Sequence, residues 1–203
     1  MQSLIALSLA LLIGCGNAPA SSYAPRNGDI IFHTSRSAQS LAIQRATHSR
    51  YSHMGIVYLE QGQPFVYEAV QPVKSTPLAD WIGRGEGGHF VVKRLKDADR
   101  LLTADNLARM KAEGEKHKGK SYDLYFEWSD DRMYCSELVW KIYHRALGVE
   151  IGATAQLGTF DFSDPAVKAK IKERWQGSPP QDETVISPAA MFESELLETV
   201  FAR

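Results

Sequence analysis

Short apolar runs bounded by turn residues fill much of the first half of the chain and predict β-strands. Four such runs occur, at residues 28–32, 53–58, 65–70 and 90–95. Between the second and third runs lies Glu-Gln-Gly-Gln at residues 60–63, which is typical of a hairpin turn. The pattern therefore predicts that the second and third strands pair as an antiparallel hairpin.

Apolar residues at three- and four-residue spacing predict helices around these strands. Such segments cover residues 37–47, 76–81, 104–117, 135–148 and 164–175, and Ser-Pro at 187–188 signals a further helix start. We expect Thr76 to cap the second of these helices, with Pro77 at its first helical position. Because helices bracket strands joined by short turns, we expect one α+β domain from about Arg26 onward, with an antiparallel sheet packed against helices.

Composition narrows the class of function without identifying it. The chain has 203 residues, of which 44% are hydrophobic and 23% charged, and its formal net charge is −1. This balance argues against disorder and against nucleic-acid binding, which needs clustered Lys and Arg. No metal-ligand spacing such as His-Glu-x-x-His occurs, so we expect neither a metal nor a cofactor.

Residues 114–121, Gly-Glu-Lys-His-Lys-Gly-Lys-Ser, match the pattern of a phosphate-binding loop. Such a loop follows a strand and opens a helix, so that the helix N-terminus meets the phosphates. Here a polar helix precedes the pattern and no clear helical stripe follows it. We therefore interpret Gly119 as the C-cap of the preceding helix.

The N-terminus contains an apolar run from Leu4 to Ile13 and no charged side chain before Cys15. The run is too short to cross a bilayer, which takes about 20 residues, and it ends in Leu-Ile-Gly-Cys. This resembles a bacterial lipoprotein signal, although the usual cationic start is missing. The resemblance implies a signal peptide at 1–14, a lipidated Cys15, a tether at 15–25 and a single domain at 26–203. An ordinary export signal with an incidental cysteine is the alternative.

Cys15 and Cys135 are the two cysteines of the chain. If Cys15 is lipidated, Cys135 has no disulfide partner within the chain. Cys135 begins an apolar helical stripe that Gly148 ends. We expect a polar side chain of the preceding loop to cap this helix, namely Ser129, Asp130 or Asp131. A helix N-terminus stabilises a thiolate, but free cysteines are also among the most buried residues, so this segment leaves a reactive and an inert thiol equally open.

His53 differs from the other histidines because the hairpin places it near an acid. If Glu60 pairs with Gln63, His53 is a diagonal neighbour of Glu68 on the same face of the sheet. Glu68 is the only charged residue in the run 65–70, and a carboxylate there requires a partner. A one-residue slip would separate the two, and a solvated cross-strand pair is the alternative to a functional one.

Four short segments carry a resemblance to a known family. They are Ser-His-Met-Gly at 52–55, Tyr-Glu-Ala-Val at 67–70, Trp-Ser-Asp-Asp-Arg at 128–132 and Tyr-Cys-Ser-Glu at 134–137. Tyr-Cys-Ser-Glu-Leu-Val at 134–139 is similar to a segment of the NlpC-type cell-wall cysteine peptidases. The order of His53 before Cys135 marks the circularly permuted branch of that superfamily, and the four segments together resemble its YiiX-like members. The resemblance covers roughly residues 28–188.

This resemblance implies a permuted papain-like fold and a Cys-His-Glu triad that works by acyl transfer. Cys135 would be the nucleophile, His53 the base and then the acid, and Glu68 the group that orients His53. The backbone N–H of Cys135 would help to stabilise the oxyanion, and Tyr122 and Tyr134 are candidates for the second donor or for substrate contact.

We therefore expect an envelope cysteine hydrolase that forms a thioester, an amidase or peptidase acting on cell-wall peptides or related amides. Two alternatives stay open, an acyltransferase or lipid ester/thioester hydrolase and a non-catalytic binding lipoprotein. The expected partners are a peptide or acyl-containing substrate, with peptidoglycan as one source, and the membrane through the lipid on Cys15. Because no Asp follows Cys15, the lipoprotein resemblance favours the outer membrane, facing the periplasm. Substrate contact and plain surface are both open for Lys74, Arg84, Trp128 and Arg132, and we favour surface for the three charged residues.

Overall fold

The computed structural model describes residues 23–203, so the expected signal peptide, Cys15 and most of the expected tether lie outside the described residues. The main sheet contains β1 (Asp29–His33), β2 (His53–Glu60), β3 (Gln63–Glu68), β4 (Lys74–Pro77), β5 (Val91–Leu95) and β8 (Leu197–Ala202). Its order is β4–β3–β2–β1–β5–β8, and every neighbouring pair is antiparallel. A separate two-stranded ribbon joins β6 (Ala155–Gln156) and β7 (Thr184–Val185).

Helices precede, interrupt and follow these strands. They are α1 (Ala38–Thr47), α2 (Leu78–Arg84), α3 (Ala98–Leu101), α4 (Ala104–Glu115), α5 (Cys135–Leu147), α6 (Pro165–Trp175) and α7 (Pro188–Phe192). The predicted α+β class with an antiparallel sheet and packed helices is confirmed. None of the helices between residues 23 and 203 has the length and hydrophobicity needed to span a membrane.

Alternation along the strands divides the buried residues between the two faces of the sheet. Ile30, Phe32 and Ile56 point to the face that packs on the apolar stripe of α5. Ile31 and Val57 point to the opposite face, where they pack around Trp81 of α2. The sheet therefore separates α5 from α2, and a site that uses both helices has to lie at an edge or an end of the sheet.

Helix α5 begins at Cys135 itself, and its N-cap is Tyr134. The expected capping by Ser129, Asp130 or Asp131 is wrong, because these residues lie in the loop before the N-cap position, which Tyr134 occupies. The carboxylate of Glu137 accepts a hydrogen bond from the Tyr134 N–H at 3.4 Å. The predicted end at Gly148 is confirmed, with this glycine in the left-handed conformation at φ 70°.

Two other local predictions are also wrong. Helix α4 ends at Glu115, and Gly119 lies beyond it in a turn, where its N–H donates to the carbonyl of Val73. Thr76 belongs to β4 and Pro77 occupies the N-cap of α2, because the residue before a proline favours extended backbone. In β4 the side chain of Thr76 faces the buried carboxylate of Glu68.

Candidate active site

The hairpin of β2 and β3 brings His53 and Glu68 together. Glu60 lies opposite Gln63, which confirms the predicted register, and His53 Nε2 lies 2.6 Å from Glu68 Oε2. Gly55 permits this close packing. A Cβ atom there would lie 2.5 Å from a methyl of Val66, which is closer than atoms of a packed interior can approach.

Glu68 is fully buried and accepts hydrogen bonds from three residues. Besides His53, the hydroxyl of Thr76 donates at 2.6 Å, and the guanidinium of Arg84 donates to the same carboxylate oxygen as Thr76. Burial raises the pKa of Glu68, but the hydrogen bond and charge of His53, the Thr76 hydroxyl and the Arg84 charge outweigh it and lower the pKa to about 2. Glu68 is therefore ionised at neutral pH. The side chain of Arg84 is 43% exposed, and its guanidinium also forms an ion pair with buried Glu68. The interpretation of Arg84 as a surface residue missed this ion pair.

Cys135 reaches the same place from the N-terminus of α5. Its side chain is 2% exposed, and its sulfur lies 4.0 Å from the carbonyl oxygen of Ser52, directly before β2. Since Nε2 of His53 is bonded to Glu68, Nδ1 is the ring nitrogen left for Cys135. Burial lowers the pKa of His53, but hydrogen bonding to Cys135 and Glu68 and the charges of these two groups raise it to about 9. The imidazolium form is therefore stable at neutral pH.

A second histidine lies directly opposite His53 in the β1–β2 pair. His33 stacks on the buried indole of Trp81, with ring centroids 3.9 Å apart, and its ring centroid is 5.2 Å from that of His53. Burial, followed by the positive charges of His53 and Arg84, lowers the pKa of His33 to about 3. His33 and Trp81 thus form an uncharged wall beside His53 at neutral pH.

Tyr122 lies on the other side of Cys135 and is held by a chain of hydrogen bonds. Arg174 Nη2 donates to Oε1 of Gln39 at 2.7 Å, and Nε2 of Gln39 donates to the Tyr122 oxygen at 3.0 Å. Arginine has only donors, so it fixes the orientation of the Gln39 amide and makes the Tyr122 oxygen an acceptor. Burial, followed by the nearby Cys135, keeps the pKa of Tyr122 well above its usual range. Its hydroxyl hydrogen is therefore retained and free to point toward Cys135.

Tyr134 stands apart from this arrangement, although it precedes Cys135 in the chain. Its hydroxyl accepts a hydrogen bond from the Ile186 N–H at 3.1 Å, and its ring packs edge-on against Phe126 with centroids 5.2 Å apart. Of the two tyrosines, Tyr122 is therefore the one whose hydroxyl adjoins the sulfur.

Cys135 opens into a crevice between α1 and α6. The crevice has a cavity volume of about 100 Å³, and hydrocarbon side chains form most of its walls. A buried thiol beside an imidazolium, a tyrosine hydroxyl next to the sulfur and a crevice that reaches the thiol are parts that acyl transfer uses.

Several contributors to the site could not be identified from the sequence. Thr76 and Arg84 lie in a short polar strand and a short helix without an apolar pattern, so nothing linked them to Glu68. Tyr122 is a candidate from the family resemblance, but its partners Gln39 and Arg174 come from two distant segments that only folding brings to it. The stacking of His33 on Trp81 could not be predicted either, because the two residues belong to separate elements, β1 and α2, whose packing no local pattern encodes.

Comparisons with known proteins agree with this geometry. Residues 24–201 match the family model described as permuted papain-like amidase enzyme, YaeF/YiiX, C92 family. The chain is 47% identical over 194 residues to the uncharacterized protein YiiX of Escherichia coli K12, covering 96% of this chain and 93% of the relative. A crystal structure described as metalloprotein yiiX from Escherichia coli O157:H7 has a TM-score of 0.85 and 48% identity, covering 89% of this chain and 99% of that one.

Proposed function

The chain belongs to the C92 family of permuted papain-like amidases, and on this premise we propose that it hydrolyses an amide bond through a thioester on Cys135. The observation that carries the proposal is the buried contact of His53 with Glu68 at 2.6 Å, next to the thiol at the start of α5. The family supplies the class, a cysteine hydrolase. Cys135 supplies the nucleophile, His53 carries the proton, and Glu68 supplies a fixed negative charge that orients His53.

In the proposed reaction the sulfur of Cys135 attacks the amide carbonyl and a C–S bond forms. The C–N bond then breaks, and the leaving amine takes the proton from His53. A water molecule next gives a proton to His53 and attacks the thioester carbonyl. The C–S bond then breaks, which releases the acid and leaves the Cys135 sulfur beside the protonated His53. Glu68 stays ionised throughout and holds Nε2 of His53, so that Nδ1 faces the reacting atoms.

Two donors are proposed to stabilise the oxyanion of each tetrahedral intermediate. The backbone N–H of Cys135 is among the first N–H groups of α5, which have no partner within a helix. The hydroxyl of Tyr122, whose oxygen already accepts from Gln39, supplies the second hydrogen bond. Tyr134 is assigned no chemical role, because its hydroxyl contacts Ile186.

The solved Escherichia coli O157:H7 relative is described as a metalloprotein. Within residues 23–203 of this chain, no group of three or more His, Cys, Asp or Glu side chains is arranged to hold a metal ion. Near Cys135, both carboxylate oxygens of Glu68 are already engaged by His53, Thr76 and Arg84. These residues do not fit a metal centre, and the proposed steps use none.

We place the enzyme in the bacterial envelope, anchored by lipid on Cys15 in the outer membrane and facing the periplasm. The support is the apolar run Leu4–Ile13 followed by Gly14-Cys15, all outside the described residues. Cell-wall peptides are one class of amide in that compartment. Incorporation of labelled palmitate into the full chain, lost in Cys15→Ala, tests the anchor, and equal labelling of both chains would refute it.

A panel of envelope amides, including murein peptides and N-acylated amines, tests the reaction itself. We expect release of amine by the wild type and a loss of about three orders of magnitude in Cys135→Ala and His53→Ala. His48→Ala is the matched control, because His48 is exposed and, within residues 23–203, pairs only with Asp161 at the surface. Equal turnover by wild type and Cys135→Ala on a substrate that is cleaved would refute the proposal.

A further inference from the structure

Residues 123–132 form a loop that returns to the point where it leaves. At its base the Asp123 N–H donates to the Met133 carbonyl at 3.0 Å, and Tyr122 pairs with Met133 as a single parallel bridge. Cys135 follows two residues after Met133. The base of the loop therefore joins Tyr122, which carries the proposed oxyanion hydroxyl, to the residue that carries the sulfur.

The side chain of Asp123 holds the interior of this loop together. It is fully buried, and its carboxylate oxygens accept hydrogen bonds from the backbone N–H groups of Tyr125 at 2.9 Å and Glu127 at 2.6 Å. Nε of Arg132, at the returning end of the loop, lies 3.4 Å from the same carboxylate. Since residues 123–132 contain no helix or strand, the carboxylate takes the place of regular secondary structure in fixing the loop.

A ring contact also connects the loop to the helix of the nucleophile. Phe126 lies between the two N–H groups that bond to Asp123 and has a φ of 59°, in the left-handed region that residues with a Cβ atom disfavour. Its ring packs edge-on against Tyr134, the N-cap of α5, with centroids 5.2 Å apart. Asp123 is therefore connected to Cys135 by two routes, the backbone of Met133 and the ring of Phe126.

From these contacts we propose that Asp123 is a positioning residue, which sets the place of the Tyr122 hydroxyl relative to the Cys135 sulfur. The inference rests on the proposed function and adds to it a residue that acts through Tyr122 and not on the substrate. Gln39 fixes the direction of the Tyr122 hydroxyl, and Asp123 fixes the backbone that carries it. Because a displacement of about 1 Å in an active site can lower a rate about a hundredfold, this loop has a direct effect on turnover.

The test compares Asp123→Asn with Tyr122→Phe in the full-length protein, with p-nitrophenyl acetate as the acyl donor. Asparagine keeps the shape of the side chain but replaces one acceptor oxygen by an NH2 donor, which then faces an N–H of the loop. We expect kcat/KM to fall by about tenfold or more in Asp123→Asn and by about a hundredfold in Tyr122→Phe. Rates measured with Cys135→Ala are subtracted as background.

The double variant separates positioning from a general loss of structure. If Asp123 acts through the Tyr122 hydroxyl, Asp123→Asn should change kcat/KM by less than about twofold in the Tyr122→Phe background. The matched control is Asp131→Asn, the same change at an exposed side chain of the same loop, which should leave the rate unchanged. Reductions that multiply in the double variant would overturn the inference, because Asp123 would then act independently of Tyr122.

Arg132→Gln serves if Asp123→Asn folds poorly, as urea unfolding would show. The side chain of Arg132 is 40% exposed, so its removal disturbs the interior less than a change of the buried carboxylate. We expect a smaller fall in kcat/KM that is again absent in the Tyr122→Phe background. Arg132→Lys should recover part of the rate, because it keeps a positive charge near Asp123.

A measurement without turnover separates this inference from the proposed hydrolysis. In protein labelled with fluorotyrosine, the fluorine resonance of Tyr122 is assigned by its loss in Tyr122→Phe. Iodoacetamide alkylates Cys135 by forming a C–S bond and releasing iodide, and no charge develops on a carbonyl oxygen. The labelling rate should therefore be equal in wild type and Asp123→Asn. The alkylation should shift the Tyr122 resonance in wild type and in Asp131→Asn, and much less in Asp123→Asn.

The two readouts distinguish the possible failures. A smaller shift in Asp123→Asn supports the positioning role even if neither the ester nor any amide is cleaved, an outcome that would refute the proposed hydrolysis alone. Equal shifts together with equal turnover in wild type and Asp123→Asn would overturn the positioning role and leave the amidase standing.

Discussion

At the scale of single residues, the site depends on a buried carboxylate that cannot easily be protonated. Glu68 is held ionised by His53, Thr76 and Arg84, with a pKa of about 2. Burial lowers the pKa of His53, but its hydrogen bonds with Cys135 and Glu68, followed by the charges of these two groups, raise it to about 9. A neutral group at position 68 would remove much of the reason for His53 to carry a proton at neutral pH.

We expect Glu68→Gln to lower the pKa of His53 from about 9 toward its ordinary range, because burial then acts with less opposition. NMR titration of the His53 ring measures this shift directly. Amide hydrolysis near neutral pH should fall by about tenfold or more. Glu60→Gln serves as control, since Glu60 lies in the same hairpin and bonds only to Ser75 at the surface. An unchanged titration of His53 in Glu68→Gln would contradict this explanation.

At the scale of elements, α5 holds the nucleophile in place through a buried ion pair. Lys141 Nζ lies 2.7 Å from Glu137 Oε1 and also donates to the Ser129 carbonyl and to Asp130, so it ties the preceding loop to the helix. Burial raises the pKa of Glu137 to about 7, although the hydrogen bond and charge of Lys141 lower it in part. Without Lys141 the carboxylate would be buried with no cation.

Lys141→Met should therefore destabilise the fold by about 3–5 kcal/mol. The loss should grow as pH rises through about 7, because the wild-type carboxyl ionises there beside Lys141, whereas its pKa is raised further without the lysine. Urea unfolding at pH 6 and pH 8 measures both effects. Lys168→Met on the exposed side of α6 is the control. The double variant Glu137→Gln, Lys141→Met should recover part of the stability, and a double variant worse than the single would contradict the ion-pair explanation.

The same elements show what sequence patterns can and cannot predict. The strands 53–58 and 65–70, their register and the stripe of α5 follow from local periodicity, so the contact of His53 with Glu68 was predictable. Strand β8 was not predicted, because its exposed residues alternate weakly and its partner β5 lies far away in the chain. The bonds of Thr76 to Glu68 and of Gln39 to Tyr122 depend on how separate elements pack, which no local pattern encodes.

At the scale of the whole molecule, three buried groups of the site give stability an optimum in pH. His53 has its pKa raised to about 9, so its stabilising contribution is complete below 6.5 and is lost as pH rises through 9. His33 has its pKa lowered to about 3, so it costs stability as pH falls from 6.5 toward 3. Glu68 adds to that acid-side loss as pH falls from 4.5 through about 2.

Glu137, with its pKa raised to about 7, gains stability as pH falls toward 4.5 and so opposes the loss from His33. The free energy of unfolding should therefore change little between pH 4.5 and pH 6.5 and decrease on either side of this range. Urea titrations from pH 4 to pH 9 measure the curve. His33→Phe keeps an aromatic ring against Trp81 and removes the titration, so stability should then increase as pH falls from 6.5 to 4.5, with the alkaline side unchanged. Stability that rises steadily from pH 6.5 to pH 9 in the wild type would contradict the assignment of a raised pKa to His53.

The proposed chemistry depends above all on Cys135 acting as a nucleophile paired with the imidazolium of His53. The rate of alkylation by iodoacetamide, followed across pH by mass spectrometry of the tryptic peptide 133–141, measures this pairing without any substrate. We predict rapid labelling of Cys135 well below pH 8, and a rate at pH 7 that falls about tenfold or more in His53→Ala and stays unchanged in His48→Ala. Labelling that becomes rapid only above pH 8, with the same pH profile in wild type and His53→Ala, would contradict the pairing.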